Sequence, residues 1–469
     1  MNTVGFNLHC SALIVGSLLF PTVACPAEPI GISLQYSRPV LQWSNHIGDA
    51  YVIETRSNLT ASAWQPQAVL TTDAATAAWA DDGLPPQTKF YRVSLSTNSA
   101  PFQSLQQALQ RACTNQKITG ASAAAVLPQN GLWLGTCGTS DGTVPIRPQT
   151  PFELASITKT FIAATVLRLA EEGRLSLSDT VGQWLPGLNC TNVSPAITVR
   201  QLLNHRSGVY NFGDEVPFQL ALFADMNRYW QPEEVFDYVH APYFAPDTGG
   251  QYSNTGYVLL GMIIRSVTGT SVDAQLQSKI FDPIQLRSTV LGARTNWTGA
   301  LAHPHIDVDG DGIQEEFGND SQTAILTSFW TSGAIVSTPA DLVRFSTALF
   351  EGGLLSAGSL SQMRNFQPVL VGSASLDYGL GLIRYNILGH EHWAHSGGLF
   401  GEYSWFSYCP DTRVSLAVTY NYTQTVTTGT GLPGELLLTL STLTSAASRT
   451  STETNASPSA ESLNITFVP

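Results

Sequence analysis

The residues with the clearest capacity for chemistry are a serine and a lysine three positions apart, Ser156 and Lys159. Apolar residues recur at helical spacing from here to Glu172, which predicts a helix that begins near the serine. Positions i and i+3 of a helix share one face, so the hydroxyl and the amine would lie within reach of each other. Burial disfavours the ammonium form of lysine, so a buried Lys159 can act as the base that activates Ser156.

A second serine competes for the role of nucleophile. Residues 138–142 read Gly-Thr-Ser-Asp-Gly, which fits the G-x-S-x-G pattern around Ser140. That pattern carries chemistry only where a strand precedes the serine and a helix follows it. Pro145 and Pro148 follow instead, and proline is excluded from a helix interior. The segment is therefore predicted to be an ordinary turn.

The Ser156–Lys159 spacing needs further motifs to support it, because about 0.4 such matches arise by chance in a chain with four lysines. Two further motifs are present. Tyr252-Ser253-Asn254 leads directly into an apolar helix, and residues 395–398 read His-Ser-Gly-Gly on a strand-like segment. A tyrosine in a loop or a buried histidine would alone be ordinary, but three polar motifs in one chain predict a common site.

In order and spacing the three motifs resemble the S-x-x-K, Y-S-N and K-T-G or H-x-G elements of the serine β-lactamase and penicillin-recognising DD-peptidase superfamily. The resemblance covers residues 101–440. Tyrosine in the second motif and histidine in the third look like the branch of class C β-lactamases, D-alanyl-D-alanine carboxypeptidases and esterases. Further blocks of similar sequence lie at 152–155, 201–208, 254–257, 332–334 and 378–382.

The resemblance implies a role for each motif residue. Ser156 would be the nucleophile, Lys159 its base partner, and Tyr252 the relay that protonates the leaving group. Asn254 would hold Lys159 and the substrate amide. The third motif would supply substrate contacts from His395, which bounds the pocket, and from Ser396, Gly397 and Gly398. The backbone N–H groups of Ser156 and Gly398 would form the oxyanion hole, where fixed donors stabilise developing negative charge.

One departure from the family pattern concerns an arginine. In carboxypeptidases of this branch, the resemblance implies, an arginine directly after the Tyr-Gly-Leu-Gly-Leu strand binds the free carboxylate of the peptide. Here Ile383 occupies that position and Arg384 follows it. Successive side chains on a strand face opposite sides, so without a bulge Arg384 points away from the cleft if Ile383 points in. Arg384 is a candidate substrate contact only if a bulge turns it toward the cleft. Without a bulge, we expect an ester or a blocked peptide to be preferred over the matching peptide with a free C-terminal carboxylate.

Two other groups of polar residues have less specific patterns. Asp307, Asp309 and Asp311 alternate, with Glu315 beyond them, as in a calcium loop. Gly318 occupies the twelfth position, where such a loop needs an acid, so a solvated acidic turn is the favoured interpretation and calcium the alternative. His205 and Arg206 are predicted to be structural hydrogen-bonding groups at a helix end. No metal or cofactor is predicted for the catalytic site.

The length of 469 residues predicts more than one domain, since a typical domain has roughly 150. Residues 29–97 alternate β-forming residues with turns and predict a small sandwich that resembles fibronectin-type-III-like modules. A polar linker at 96–100 predicts that this module is an independent unit, dispensable for chemistry. Residues 101–440 predict the catalytic domain, and the Ser/Thr-rich residues 441–469 predict a disordered tail.

Composition and the N-terminal residues indicate which binding partners and which cellular compartment to expect. The net charge is −13, so a nucleic-acid partner is not expected. Residues 1–27 read as a signal peptide, although no basic residue precedes the apolar stretch, and Cys25 is an alternative lipidation site. No later apolar run is long enough to span a bilayer. Cys113, Cys137, Cys190 and Cys409 allow three disulfide pairings in an oxidising compartment.

The predicted fold class is α+β, an antiparallel sheet flanked by helices with a helical lobe, preceded by the all-β sandwich. The predicted function is that of an exported serine hydrolase, periplasmic, extracellular or lipid-anchored, which forms an acyl-enzyme on Ser156. The resemblance implies amides or esters as substrates, with D-Ala-D-Ala peptides first, carboxylic esters second and β-lactams third. The alternative from another class is a non-catalytic receptor for wall peptides or β-lactams.

Overall fold

One long sheet with helices on both faces organises the chain in this computed structural model. The structure describes residues 13–14, 31–35, 38–57, 63–81, 89–96, 99–128, 130–292, 301–307, 315–317, 322–422 and 431–449. Helix and sheet are mixed as the sequence predicted, and the α+β class is confirmed.

The strands of the described residues are numbered in chain order. They are β1 Leu13–Ile14, β2 Gly31–Gln35, β3 Arg38–Ser44, β4 Tyr51–Arg56, β5 Gln65–Thr72, β6 Thr76–Ala80, β7 Phe90–Leu95, β8 Gly120–Leu127, β9 Gly131–Gly138, β10 Phe152–Glu153, β11 Val290–Leu291, β12 His305–Ile306, β13 Glu315–Glu316, β14 Ile335–Ser337, β15 Gln367–Val371, β16 Ala374–Tyr378, β17 Ile383–Ile387, β18 His390–Leu399, β19 Glu402–Cys409 and β20 Val414–Tyr420.

The α-helices of the same residues are numbered likewise. They are α1 Ala100–Asn115, α2 Thr158–Glu171, α3 Val181–Trp184, α4 Val199–Leu203, α5 Val216–Ala224, α6 Asn254–Thr268, α7 Val272–Leu276, α8 Thr323–Phe329, α9 Pro339–Phe350, α10 Ala357–Met363 and α11 Gly431–Arg449. Short 3-10 turns lie at Ala155–Ile157, Phe212–Asp214, Pro232–Tyr238 and Trp330–Ser332, and a π-helical turn lies at Gln277–Phe281.

Twelve of the described strands form the long sheet, in the order β1-β7-β4-β5-β9-β8-β20-β19-β18-β17-β16-β15. Its neighbours pair antiparallel except for β5 and β9, which run parallel. The central strand β8 shows how both faces are covered. Ala121, Ala123 and Ala125 face the core formed with α1 and α11, whereas Ala124 faces the core that contains α2. Alternation along the strand thus gives each face a row of small residues, against which helices can pack closely.

Helix α2 carries the S-x-x-K lysine through the interior of the molecule. Phe161, Ile162, Ala163, Val166 and Leu169 are all fully buried. The helix is surrounded by the sheet on one side and by the helical lobe on the other, so its apolar surface is wider than the stripe of a surface helix. This burial fixes the position of Lys159 at the N-terminal end of the helix, one turn from Ser156.

The N-terminal region is all-β, as predicted, and packs as two facing sheets. Strands β2, β3 and β6 form one sheet, while β7, β4 and β5 belong to the long sheet. Their cores meet at Trp43 and Tyr51, whose ring centroids are 5.6 Å apart in an edge-to-face contact. Strand β1 lies within the predicted signal peptide and pairs with β7.

This region is not an independent unit, which corrects the prediction from the polar linker. Strand β5 pairs with β9 from Val69–Trp133 to Thr72–Thr136, so the sheet is continuous across the predicted boundary. Buried polar contacts cross the same junction. Thr71 Oγ1 donates to Gln106 Oε1 at 2.8 Å, and Trp133 Nε1 donates to Thr71 Oγ1 at 2.9 Å. The linker failed to reveal this because pairing between distant strands leaves no local sequence signal.

The C-terminal segment also departs from its prediction. Helix α11 continues through Arg449, so residues 441–449 are helical rather than disordered. Leu432, Leu436 and Leu440 are buried one turn apart and anchor the helix on the sheet. Residues 450–469, Cys25 and the rest of the predicted signal peptide apart from β1 lie outside the described residues.

Among the four cysteines considered above, Cys113 in α1 forms a disulfide with Cys137 in β9. Cys190 and Cys409 are free thiols. No helix among the described residues combines the length and the apolar character needed to span a bilayer.

Candidate active site

Ser156 lies on the 3-10 turn between β10 and α2. Ala155, directly before it, has a φ of 45°, a left-handed conformation that is uncommon for a residue with a side chain. The neighbouring backbone holds this turn in place. Leu154 N donates to Ile335 O at 2.8 Å, and Leu154 O accepts from Ser404 Oγ at 2.7 Å. Strained residues that the surroundings hold in this way cluster at functional sites.

Lys159 lies beside Ser156 and is fully buried. Its Nζ is 3.0 Å from Ser156 Oγ, 2.7 Å from Asn254 Oδ1 and 2.7 Å from Ser332 O. None of these three partners is a carboxylate, and burial holds the pKa of Lys159 well below its ordinary value. A neutral amine has two N–H groups and can donate to two of these three partners. Its lone pair is then free to accept the proton of the Ser156 hydroxyl.

Tyr252 covers the other side of the amine. Its ring centroid is 4.6 Å from Lys159 Nζ, and its backbone N–H donates to Leu370 O at 2.8 Å. Burial raises the pKa of Tyr252, and the interaction with the Ser156 side chain lowers this pKa by a smaller amount. The hydroxyl is buried and has no hydrogen bond of good geometry within the described part of the chain. It is therefore a neutral hydrogen-bond donor next to Ser156.

Asn254 begins helix α6 and is fixed from both ends. Its backbone N–H donates to Asn211 Oδ1 at 2.8 Å, and its side-chain oxygen accepts from Lys159. His205 supports the preceding residue, since Ser253 N donates to His205 Nδ1 at 3.1 Å. The His205 ring also packs on Tyr252 at 4.3 Å between centroids. The predicted structural role of His205 agrees with these contacts, as does the 2.6 Å ion pair between Arg206 and Asp247.

The third motif brings β18 against the serine turn. A Cβ atom built on Gly397 would lie 2.1 Å from Leu154 O and 2.9 Å from Ser156 N, so only glycine allows this approach. Gly398 follows and pairs with Tyr403 of β19. The two backbone segments expected to form the oxyanion hole are therefore adjacent.

His395 is buried on the same strand and links it to Tyr378. Its Nδ1 lies 2.6 Å from the carbonyl of Ser396, which can only accept, so Nδ1 carries the proton and Nε2 accepts from Tyr378 Oη at 2.9 Å. Burial and the nearby Lys159 lower the pKa of His395 to about 3. The imidazole is thus neutral at neutral pH and supplies no positive charge to the site.

Comparison with known proteins decides the family. The Beta-lactamase family profile matches residues 105–440, which is more than half of the chain. The protein belongs to the Beta-lactamase family. The resemblance inferred from the three motifs is therefore confirmed.

Similar proteins include a penicillin-binding protein and two amide hydrolases of known structure. Penicillin-binding protein 4* of Bacillus subtilis is 30% identical over 254 residues, which are 52% of this chain and 54% of the relative, so the chain spans about half of that protein. The D-amino acid amidase of Ochrobactrum anthropi aligns over 74% of this chain and 99% of its own, with a TM-score of 0.65 and 27% identity. A D-stereospecific amidohydrolase from Streptomyces aligns over 68% and 93%, with a TM-score of 0.60 and 31% identity.

Two residues that were predicted to contact the substrate of this Beta-lactamase family protein, Ser396 and Arg384, make their described contacts elsewhere than at Ser156. The side chain of Ser396 interacts with Tyr385 and Tyr403, which belong to the core formed with α1 and α11. Arg384 is exposed and pairs with Asp377 at 2.7 Å and Glu391 at 3.9 Å. Ile383 is buried and the register through β16, β17 and β18 has no bulge, as the alternation argument required.

The remaining candidates are peripheral. Ser140 lies in a turn where its Oγ accepts from His303 N at 2.9 Å, in agreement with the structural interpretation. Asp307 and Glu315 flank residues outside the described part of the chain, which include Asp309 and Asp311. Within the described residues, Asp307 and Glu315 belong to no group of three metal-ligating side chains.

Two buried carboxyl groups behind the serine turn escaped the sequence analysis. Glu402 Oε2 accepts a hydrogen bond from Glu153 N at 2.7 Å, and both side chains are buried. Burial raises the pKa of Glu153 to about 8. It also raises the pKa of Glu402 well above the ordinary value, and the charge of Glu153 adds to this effect. Glu402 begins the strand after a hairpin, a position at which sequence alone predicts an exposed acid.

An aromatic cluster lies beyond the third motif. Phe400, at the tip of the β18–β19 hairpin, contacts Phe223 at 4.8 Å and Phe329 at 6.4 Å between ring centroids. Phe317 contacts Phe223 at 5.6 Å. Phe400 is two residues from Gly398 and Phe329 is three from Ser332, so the cluster is close along the chain to two segments of the site.

Proposed function

We propose that the protein is a serine hydrolase that transfers the acyl group of an amide or ester to Ser156 and then to water. The observation that carries this proposal is the buried Lys159 amine, 3.0 Å from Ser156 Oγ and without a carboxylate among its three partners. A neutral amine in that position is a base for the serine hydroxyl.

The chemistry proceeds in two balanced halves. Ser156 Oγ forms a bond to the substrate carbonyl carbon while its proton passes to Lys159. The negative charge on the carbonyl oxygen is stabilised by the N–H groups of Ser156 and Gly398. The bond to the leaving group then breaks, Tyr252 donates its proton to that group, and the proton on Lys159 passes to Tyr252. Water then attacks the carbonyl carbon of the acyl-enzyme through the same proton transfers. The carboxylic acid is released and the Ser156 hydroxyl is restored.

The substrate class follows from the charges and the walls of the site. With Arg384 held by Asp377, no described contact assigns a cation to the free carboxylate of a peptide. Amides and esters with a neutral leaving group are therefore preferred. The amidase and amidohydrolase neighbours act on D-configured substrates by their names, and the Phe400 cluster supplies an apolar wall for the acyl side chain.

A D-alanyl-D-alanine carboxypeptidase is the second candidate, and the similarity to penicillin-binding proteins favours it. It differs from the first in the leaving group, which would carry a free carboxylate. A non-catalytic receptor is disfavoured because binding alone requires neither a buried base nor a tyrosine beside the serine.

The substrate proposal is tested by comparing D-phenylalanine amide, L-phenylalanine amide and a D-Ala-D-Ala peptide as substrates of the full-length protein. We expect the highest kcat/KM for the D-amide, and no turnover of any of the three by Ser156→Ala. Faster cleavage of the D-Ala-D-Ala peptide would support the carboxypeptidase, and absence of turnover with every amide and ester would contradict both.

A further inference from the structure

A group of metal-ligating side chains lies at the end of β18 that is remote from the third motif. His390 and His392 are two residues apart on this strand, so they share one face of the sheet. The antiparallel register pairs Trp393 with Tyr408, and continuing it places His392 opposite Cys409 and His390 opposite Asp411. Four side chains with N, S and O donors are therefore gathered by the strand pairing itself.

Their geometry suits a single ion. One donor atom from each of His390, Cys409 and Asp411 lies within 4.8 Å of the other two. His390 Nδ1 is 3.0 Å from Asp411 Oδ2. Cys409 is buried and has a free thiol, whereas His390 and Asp411 are partly exposed and leave the group open to solvent.

His392 provides an independent observation at the same place. Its side chain is 8% exposed, and its Nδ1 has no hydrogen-bond partner within the described residues. It lines a cavity of about 30 Å³ together with His390, Cys409 and residues of α11. An unsatisfied buried nitrogen is costly unless something binds it.

We propose that His390, Cys409 and Asp411 bind one divalent transition-metal ion, best suited to Zn²⁺, with the adjacent His392 as the candidate fourth ligand. Thiolate, imidazole and carboxylate are the zinc ligands of proteins. Calcium and magnesium require oxygen donors and are excluded by the sulfur and the nitrogens.

The site would be structural rather than catalytic. His390 and His392 lie on the face of β18 that meets α11. Trp393 faces the core that contains α2, and His395, two residues further along the strand, faces the same way as Trp393. An ion here would join β18, the end of β19 and the turn before β20. It would therefore stabilise one end of the central sheet without contact with Ser156.

The test uses full-length, tag-free protein depleted of metal and titrated with Co²⁺, whose coordination by thiolate gives an intense sulfur-to-metal charge-transfer absorption. We expect this absorption to saturate at one equivalent, Zn²⁺ to displace the cobalt, and Zn²⁺ to raise the Tm. Cys409→Ser should abolish the absorption, whereas Cys190→Ser, which removes the other free cysteine of the described residues, should leave it intact.

A second variant guards against misfolding of the buried cysteine mutant. His390→Ala changes a partly exposed residue and should weaken Zn²⁺ binding by about tenfold or more, in the range found when groups around a metal are altered. Ester hydrolysis by the folded His390→Ala protein should match the wild type, which separates this proposal from that of the active site. Absence of the charge-transfer absorption in the wild type, or its persistence in folded Cys409→Ser, would overturn the proposal.

Discussion

Glu402 accepts a hydrogen bond from the backbone N–H of Glu153 at 2.7 Å, three residues before the nucleophile candidate Ser156. Both carboxyl groups are buried, and each raises the energy of the other's charged form. At least one of them therefore keeps its proton at pH values where an exposed glutamate is ionised. Ionisation of both would place like charges directly behind the serine turn.

The first prediction is a loss of stability as the pH rises. The folded protein holds protons that the unfolded chain releases above about pH 4.3, so the free energy of unfolding falls with pH until it passes the raised pKa of about 8 for Glu153. Glu402→Gln removes one titrating group and should flatten this dependence. Urea unfolding at intervals from about pH 5 to about pH 9 measures it.

The control for that experiment is Glu233→Gln, which changes an exposed glutamate. It should retain the wild-type dependence on pH. An unchanged pH dependence in Glu402→Gln would show that this carboxyl group does not carry a proton in the folded state.

The second prediction concerns the base. Lys159→Met replaces the buried amine with an uncharged side chain of similar length and should lower kcat/KM by about 10³-fold or more, as for residues that act as a unit. The measurement is hydrolysis of a small activated ester. Lys279→Met is the matched control, because Lys279 pairs with Glu172 on the surface, and it should keep full activity. Substantial activity in Lys159→Met would rule out this lysine as the base.

The third prediction concerns Arg384. Because its guanidinium is held by Asp377, Arg384→Ala should change kcat/KM by less than about twofold for both a blocked peptide and its free-carboxylate form. The wild type should prefer the blocked peptide. If the wild type instead prefers the free carboxylate and the variant loses that preference, the carboxypeptidase function should be adopted.

The fourth prediction concerns the junction between β5 and β9. Thr71→Val removes the hydroxyl that serves both Trp133 and Gln106, so it should lower the free energy of unfolding by about 1–3 kcal/mol. Thr76→Val, at an exposed position of β6, is the control and should have little effect. Equal stability of the two variants would show that the buried junction contributes nothing to folding.

The sequence predicted the part of the site that depends on local spacing. Ser156 and Lys159 are one helical turn apart, and Tyr252 and Asn254 occupy the entry to a helix, so short motifs determine their relative positions. Contacts that depend on tertiary packing could not be predicted from the sequence. Examples are Ser332, whose carbonyl binds Lys159, and Glu402, which is distant in sequence from Glu153.

The fold shows the same division. The helix from Thr158 and the alternating strands followed from periodicity, whereas the parallel pairing of β5 with β9 had no local signal. The helix through Arg449 was missed because Ser and Thr are weak helix formers, and packing of the Leu432, Leu436 and Leu440 side chains overrides that propensity.

The most direct test of the central claim is covalent labelling with an active-site fluorophosphonate, followed by peptide mass spectrometry. We expect one adduct, on Ser156, that disappears in Ser156→Ala and persists in Ser140→Ala. Activity toward a small ester should be lost in the first variant and retained in the second. An adduct on Ser140, or hydrolysis that survives Ser156→Ala, would contradict the assignment of Ser156 as the nucleophile.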